Sequence, residues 1–168
     1  MGVCGEGVLW AFHAVLRGVK RSVSQCAYFI KCVKVAGLSY TCCMDENAIS
    51  FEVRRAAFKV HTALGPGLLE SVYELALTYE LRQAGLQVRQ QVPLPFIYGG
   101  QKLEVGYRID LLINEKFIVE LKSVETLLPV HFKQILSYLK LSGVKLGQLI
   151  NFNVDSLKEN MHRVVNGL

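Results

Sequence analysis

The sequence predicts an α/β fold, with a mixed central sheet flanked by helices. Three observations point there. Apolar residues recur at helical spacing in several segments, extended stretches rich in β-branched residues lie between them, and three consecutive strands are followed by a helix and a further strand. A helical crossover after an antiparallel run adds a strand parallel to its predecessor, so such a sheet is mixed.

The elements follow in order. Ile49, Val53, Ala56, Ala57, Val60 and Leu64 share one stripe, so Ile49–Leu64 is expected as a helix, broken by Gly65-Pro66-Gly67. A second helix is expected from Leu68 to Ala84, with Gly85 as its C-terminal glycine. Leu86–Tyr98 reads as extended, Pro93 and Pro95 marking an edge or irregular strand, and Gly99-Gly100 as a hairpin turn. Leu103–Ile113 is the second strand, Asn114-Glu115-Lys116 a turn, and Phe117–Lys122 the third strand. Val130–Leu141 is a helix ending at Gly143, Leu146–Phe152 a fourth strand, and Ser156–Val165 a last helix capped by Asp155.

Composition narrows the class. With 168 residues, 51% apolar and 20% charged, the chain is neither disordered nor fibrous and can bury a core without staples. The net charge of +5 is unevenly spread: residues 1–43 hold Arg17, Lys20, Arg21, Lys31 and Lys34 against Glu6 alone, while residues 44–168 hold 14 basic and 13 acidic residues. The body is almost neutral, so a pI near 9.0 is no argument for a nucleic-acid surface. All five cysteines precede Met44, so the body suits a reducing, cytoplasmic setting. No run of ~18 uncharged apolar residues exists, so no membrane span is expected.

Residues 1–43 are expected to be an unstructured extension, or to lie upstream of a true start at Met44, where MDENAISFEV reads as an acidic entry to an amphipathic helix. Val8–Leu16 lacks the preceding positive charge and the cleavage site of an export signal, and Glu6 stands where myristoylation needs Ser or Thr. Cys26 and Cys32 lack the spacing of a zinc knuckle. Residues 44–168 are expected to form the functional domain.

Its chemistry is expected in YRIDLLINEKFIVELKS. With Glu115 at the centre of the turn, paired residue numbers sum to 230, so Ile113 faces Phe117 and Asp110 faces Glu120. Side chains so opposed sit roughly 4.5–5.5 Å apart at Cβ. Lys122 projects from the same face, while Ile109, Leu111, Val119 and Leu121 are expected on the opposite one. Two carboxylates about 5 Å apart repel by about 3 kcal/mol at an effective dielectric near 20. A shared proton, the Lys122 charge or a divalent cation would relieve that, and oxygen ligands of this kind suit Mg²⁺ or Mn²⁺. The alternative is a solvated strand with an ordinary surface charge pattern. A one-residue change in turn length would separate the two acids.

Asp110 followed by Glu120-Leu121-Lys122 resembles the PD-(D/E)XK nuclease superfamily, with Ile109 in place of the usual proline. Gly67-Leu68-Leu69-Glu70-Ser71-Val72-Tyr73 resembles the motif that names the GxxExxY protein family. The likeness runs through LGPGLLESVYE, YRIDLLI, VELKSVE, SYLKLSG and LINFN, over residues 49–165. It implies an αβββαβ nuclease core, catalytic roles for Asp110, Glu120, Lys122 and Glu70, and a Mg²⁺ or Mn²⁺ ion held by Asp110, Glu120, Leu121 and Glu70. Read alone, Glu70 is also an acid that complements a helix dipole. Tyr73 either supports Glu70 or belongs to the core. Gln134 and Tyr138 resemble a QxxxY motif and share a helix face that would look into the site. His131, one turn earlier, either contacts substrate or is structural. The resemblance implies a metal-dependent nuclease acting on DNA. The alternative is a non-catalytic nucleic-acid- or partner-binding module on the same fold.

Overall fold

A computed structural model describes residues 44–103 and 106–167. The readings made for residues 1–43 lie outside the described residues. Helix α1 (Glu46–Leu64) starts at Asp45, whose carboxylate accepts the Ala48 N–H at 2.7 Å. Helix α2 spans Glu70–Gln83, and Gly85 beyond it takes φ +82°. Next come β1 (Val88–Pro93), β2 (Phe96–Tyr98), β3 (Gln101–Leu103), β4 (Arg108–Ile113), β5 (Phe117–Lys122), α3 (Pro129–Ser142), β6 (Leu146–Asn151) and β7 (Met161–Val165).

The main sheet has the order β1-β4-β5-β6-β7. All neighbours are antiparallel except β5 and β6, so the sheet is mixed, as expected from a helical crossover. From α2 to β6 the core reads αβββαβ, interrupted only by β2 and β3. The Gly99-Gly100 turn does form a hairpin, but it joins β2 to β3 in a separate two-stranded sheet rather than joining the main strands. Proline explains the break: Pro93 ends β1 on the sheet edge and Pro95 cannot donate to a ladder.

The expected last helix is not there. Leu157–Glu159 makes one 3₁₀ turn, and Met161–Val165 pairs with β6 from Ile150–Met161 to Leu146–Val165. Five residues are too few for periodicity to separate helix from strand, and β6 would otherwise leave its outer backbone groups unpaired. Asp155 is exposed and caps nothing; Ser156 precedes the 3₁₀ turn without a side-chain cap.

Two cores sandwich the sheet. Ile49, Val53, Ala57 and Val60 of α1 and Tyr73, Leu77 and Leu81 of α2 pack on Leu111, Ile113, Phe117, Val119 and Leu121. Ile135, Tyr138 and Leu139 of α3 pack on Leu112, Ile118 and Leu149 from the other side. Helix α3 lies close: a Cβ on Gly147 would meet the Ile118 carbonyl at 2.9 Å and Ile135 Cδ1 at 3.1 Å.

One rung of the β1–β4 ladder is irregular. Gln90 pairs with Leu111 and Val92 with Ile109, but the intervening rung, Gln91 opposite Asp110, is unpaired and Gln91 has φ +49°. The left-handed region costs a non-glycine residue roughly 1–2 kcal/mol. Beyond this rung the faces exchange. Ile109, expected beside Leu111, is buried instead in the α3-side core with Leu94 and Leu112. A break in both strands at one level turns the side chains over.

Gly147→Ala is expected to cost about 1–3 kcal/mol, because the backbone of β5 blocks the new methyl. Urea unfolding followed by circular dichroism measures it, and an unchanged midpoint would contradict the close approach of the β5 backbone.

Candidate active site

The β4–β5 hairpin builds the centre. Asn114 and Glu115 adopt φ +49° and +56°, and the Lys116 N–H reaches the Ile113 carbonyl at 3.0 Å. Pairing follows the expected register: Ile113–Phe117, Leu112–Ile118, Leu111–Val119. The next rung would join Asp110 to Glu120. There the ladder ends, and Asp110 Oδ2 accepts the Leu121 N–H at 2.8 Å.

Lys122 sits among the remaining oxygens. Its Nζ donates to Glu120 Oε1 at 2.7 Å and to the Leu121 carbonyl at 2.8 Å, and lies 3.8 Å from Glu70 Oε1. Glu120 is 1% exposed, the Lys122 side chain 12% and the Glu70 side chain 44%, so the cluster runs from the core to solvent. Glu70 comes from the opposite helical layer, and tethers hold the loop that leads to it. The Tyr73 hydroxyl donates to the Gly65 carbonyl at 2.6 Å and accepts the Leu68 N–H at 3.1 Å, while its ring stacks on Phe152 at 4.5 Å. Ser123 Oγ donates to the Leu68 carbonyl at 2.6 Å, tying the entry of α2 to the end of β5.

Burial dominates the electrostatics. Desolvation, opposed by the Leu121 N–H and by Lys122, raises Asp110 to about 6. Desolvation and then the Asp110 charge raise Glu120 to about 7, even though Lys122 pulls the other way. For Lys122 itself burial lowers the pKa, but Glu120, Glu70 and Asp110 outweigh it and the net shift is upward. The ammonium therefore stays charged, while the two central acids cannot both ionise easily around it.

Asp110, Glu120, Lys122, Glu70 and Leu121 are thus brought together. They do not form a ready cage: among the described residues, no group of three His, Cys, Asp or Glu side chains is set to hold a metal ion. The Leu121 N–H holds Asp110, and the lysine takes up Glu120 and the Leu121 carbonyl. The donor set nevertheless fits a hard divalent cation. Glu120 Oε2 is buried with no hydrogen-bond partner, a costly state that an added cation would relieve.

The supporting residues divide. Tyr138 is 5% exposed and accepts Gln134 Nε2 at 2.9 Å, which leaves its own proton free to donate; burial raises its pKa, and Glu120 and Asp110 add to that. Tyr138 therefore feels the charge of both acids, while the bond shown for Gln134 is to Tyr138 and not to them. His131 Nδ1 accepts the Leu128 N–H at 3.1 Å and so caps α3. Tyr73 belongs to the core and reaches Glu70 only through the preceding loop.

Three residues escaped the sequence reading. Fully buried Asn151 accepts the Val124 N–H at 3.0 Å and donates to its carbonyl at 2.7 Å, holding the chain just after Lys122; an asparagine ending an apolar strand was the available signal. Ser123 directly follows the lysine. Glu74, 8% exposed, accepts Gln90 Nε2 at 3.2 Å and Gln91 Nε2 at 2.8 Å, and an acid on the apolar face of α2 was its signal.

A family model of the PD-(D/E)XK nuclease superfamily matches residues 47–164. The chain belongs to that superfamily. Neither the curated proteins nor the solved structures give a match.

A carboxyl with a raised folded-state pKa keeps its proton after the unfolded chain has released its own, so folding weakens as pH rises. The window for Glu120 runs from its ordinary 4.5 to about 7, with that of Asp110 just below. Glu120→Gln mimics the protonated acid. Below pH 4 it should match wild type, and through this window it should become more stable than wild type by roughly 3 kcal/mol. Urea titrations of metal-free protein at several pH values measure this; a pH-independent gap would show that Glu120 is not strained by burial.

Proposed function

We propose that this domain is a divalent-cation-dependent nuclease that hydrolyses DNA phosphodiester bonds. The observation that carries it is the buried Glu120 carboxylate, with one oxygen on Lys122 and the other without a partner, beside Asp110 and below Glu70. A stable fold gains nothing from such an arrangement, whereas a cation site needs it. Membership of a nuclease superfamily supports the same reading.

Asp110, Glu120, Glu70 and the Leu121 carbonyl would hold Mg²⁺ or Mn²⁺. Such an ion polarises a phosphoryl oxygen and lowers the pKa of a bound water. The chain supplies the rest. Lys122 keeps its charge and would orient the attacking water or stabilise charge growing on the phosphate. Tyr138, held by Gln134, would offer a phenolic proton to a phosphate oxygen. Apolar packing beneath the site keeps the local dielectric low, so each charge acts strongly.

A second reading, a nucleic-acid- or partner-binding module without chemistry, draws on the near-neutral body, with its 14 basic and 13 acidic residues. Among the described residues no helix is long and apolar enough to cross a membrane.

Linear and circular DNA incubated with Mg²⁺, Mn²⁺ or EDTA separate the two. Cleavage should need the metal, and Lys122→Ala should lower its rate by about 10²–10³-fold. Equal behaviour of wild type and Lys122→Ala with every metal and substrate would defeat the nuclease reading. Asp110→Asn should abolish metal-dependent cleavage while retaining the fold, because an amide oxygen can still accept the Leu121 N–H. Retained cleavage would remove Asp110 from the site.

A further inference from the structure

We infer that Glu74 is a positioning residue for Asp110: its buried carboxylate locks β1 into the left-handed conformation at Gln91, and that lock bends β4 so that Asp110 meets Leu121. As a statement about cleavage this rests on the nuclease reading; as a statement about the fold it does not.

In a regular strand, successive side chains leave opposite faces. Gln90 pairs with Leu111, which faces α1 and α2, so a regular Gln91 would point towards the α3 side. Instead both amides reach Glu74 on α2, at 3.2 and 2.8 Å. The backbone at Gln91 is turned to φ +49° where this happens. A left-handed residue without glycine persists where its surroundings over-determine it. Here two amides on one buried carboxylate do so, each a hydrogen bond of the stronger, charge-assisted kind.

The position of the lock gives it consequence. Register places Gln91 opposite Asp110, and this is the one rung missing between Val88–Ile113 and Pro93–Arg108. At the same level β4 loses its alternation, with Leu111 on one face and Ile109 in the core of the other. Asp110 stands at the bend, and its carboxylate takes the Leu121 N–H where the β4–β5 ladder stops. Glu74 lies one helical turn beyond Glu70, so a single helix supplies an acid to the lysine cluster and an acid to the bend.

The test uses the ¹⁵N-labelled full chain. Hydrogen exchange of the Leu121 amide reports the Asp110 contact, with Leu149 and Ile150 amides in β6 as internal references. Glu74→Ala should lower Leu121 protection at least about tenfold and leave the references unchanged. It should also weaken Mn²⁺ binding, measured by calorimetry, by about 10–100-fold. Glu74→Gln should stay within about threefold of wild type in both, because glutamine amides can turn to bond one another. Gln91→Val, with Glu74 intact, should reproduce the loss at Leu121, since a β-branched residue resists φ above zero and favours the regular strand; this variant decides the matter should Glu74→Ala not fold. Unchanged Leu121 protection in Gln91→Val, or in a folded Glu74→Ala, overturns the inference. So does a Glu74→Gln variant as damaged as Glu74→Ala, which would make Glu74 a charge-bearing ligand. If wild type neither binds Mn²⁺ nor cleaves DNA, the nuclease reading falls, and the Leu121 amide alone judges the lock.

Discussion

The Lys122 ammonium is shared between the Glu120 carboxylate and the Leu121 carbonyl, with Glu70 at the margin of its reach. Among the described residues it is the positive charge held inside a group of acids that burial has made reluctant to ionise. Its place is dictated by β5: a lysine two residues after a buried glutamate emerges on the same face, at the strand end nearest solvent. The surrounding polar bonds hold that arrangement from three sides. Ser123 and Tyr73 bring in the entry of α2, Asn151 fixes the chain after the lysine, and Asp110 is tied to the backbone between Glu120 and Lys122.

Much of this was legible in the sequence, for identifiable reasons. The β4–β5 hairpin was readable because Asn114-Glu115-Lys116 marks a short turn between two apolar strands, and a turn centred on Glu115 sets the register. That register alone places Asp110, Glu120 and Lys122 together. Helices α1, α2 and α3 were readable from stripe and glycine signals, with no end off by more than three residues. Glu70 was legible only through a family resemblance, because it comes from the other layer of the fold and no local pattern connects residue 70 to residue 122.

The misread parts share a cause: each depends on what lies across space rather than along the chain. Met161–Val165 became a strand because β6 offered an unpaired edge. Residues 96–103 left the main sheet because the prolines around them could not donate. Ile109 changed faces because Gln91, neither glycine nor asparagine, took a left-handed turn that its own sequence does not advertise. Glu74 did leave a trace, as an acid on the apolar face of α2 beside Tyr73 and Leu77.

The bond between Ser123 and Leu68 spans 55 positions, whereas that between Asp110 and Leu121 spans 11. Loops that close over short separations cost less entropy, so during folding the hairpin acids can gather before the helical acid arrives. A nascent chain that has made its hairpin but not yet docked α2 carries an incomplete set of oxygens. On the proposed nuclease reading, competence would belong to the finished tertiary structure, and chain topology alone would keep partly folded molecules chemically silent.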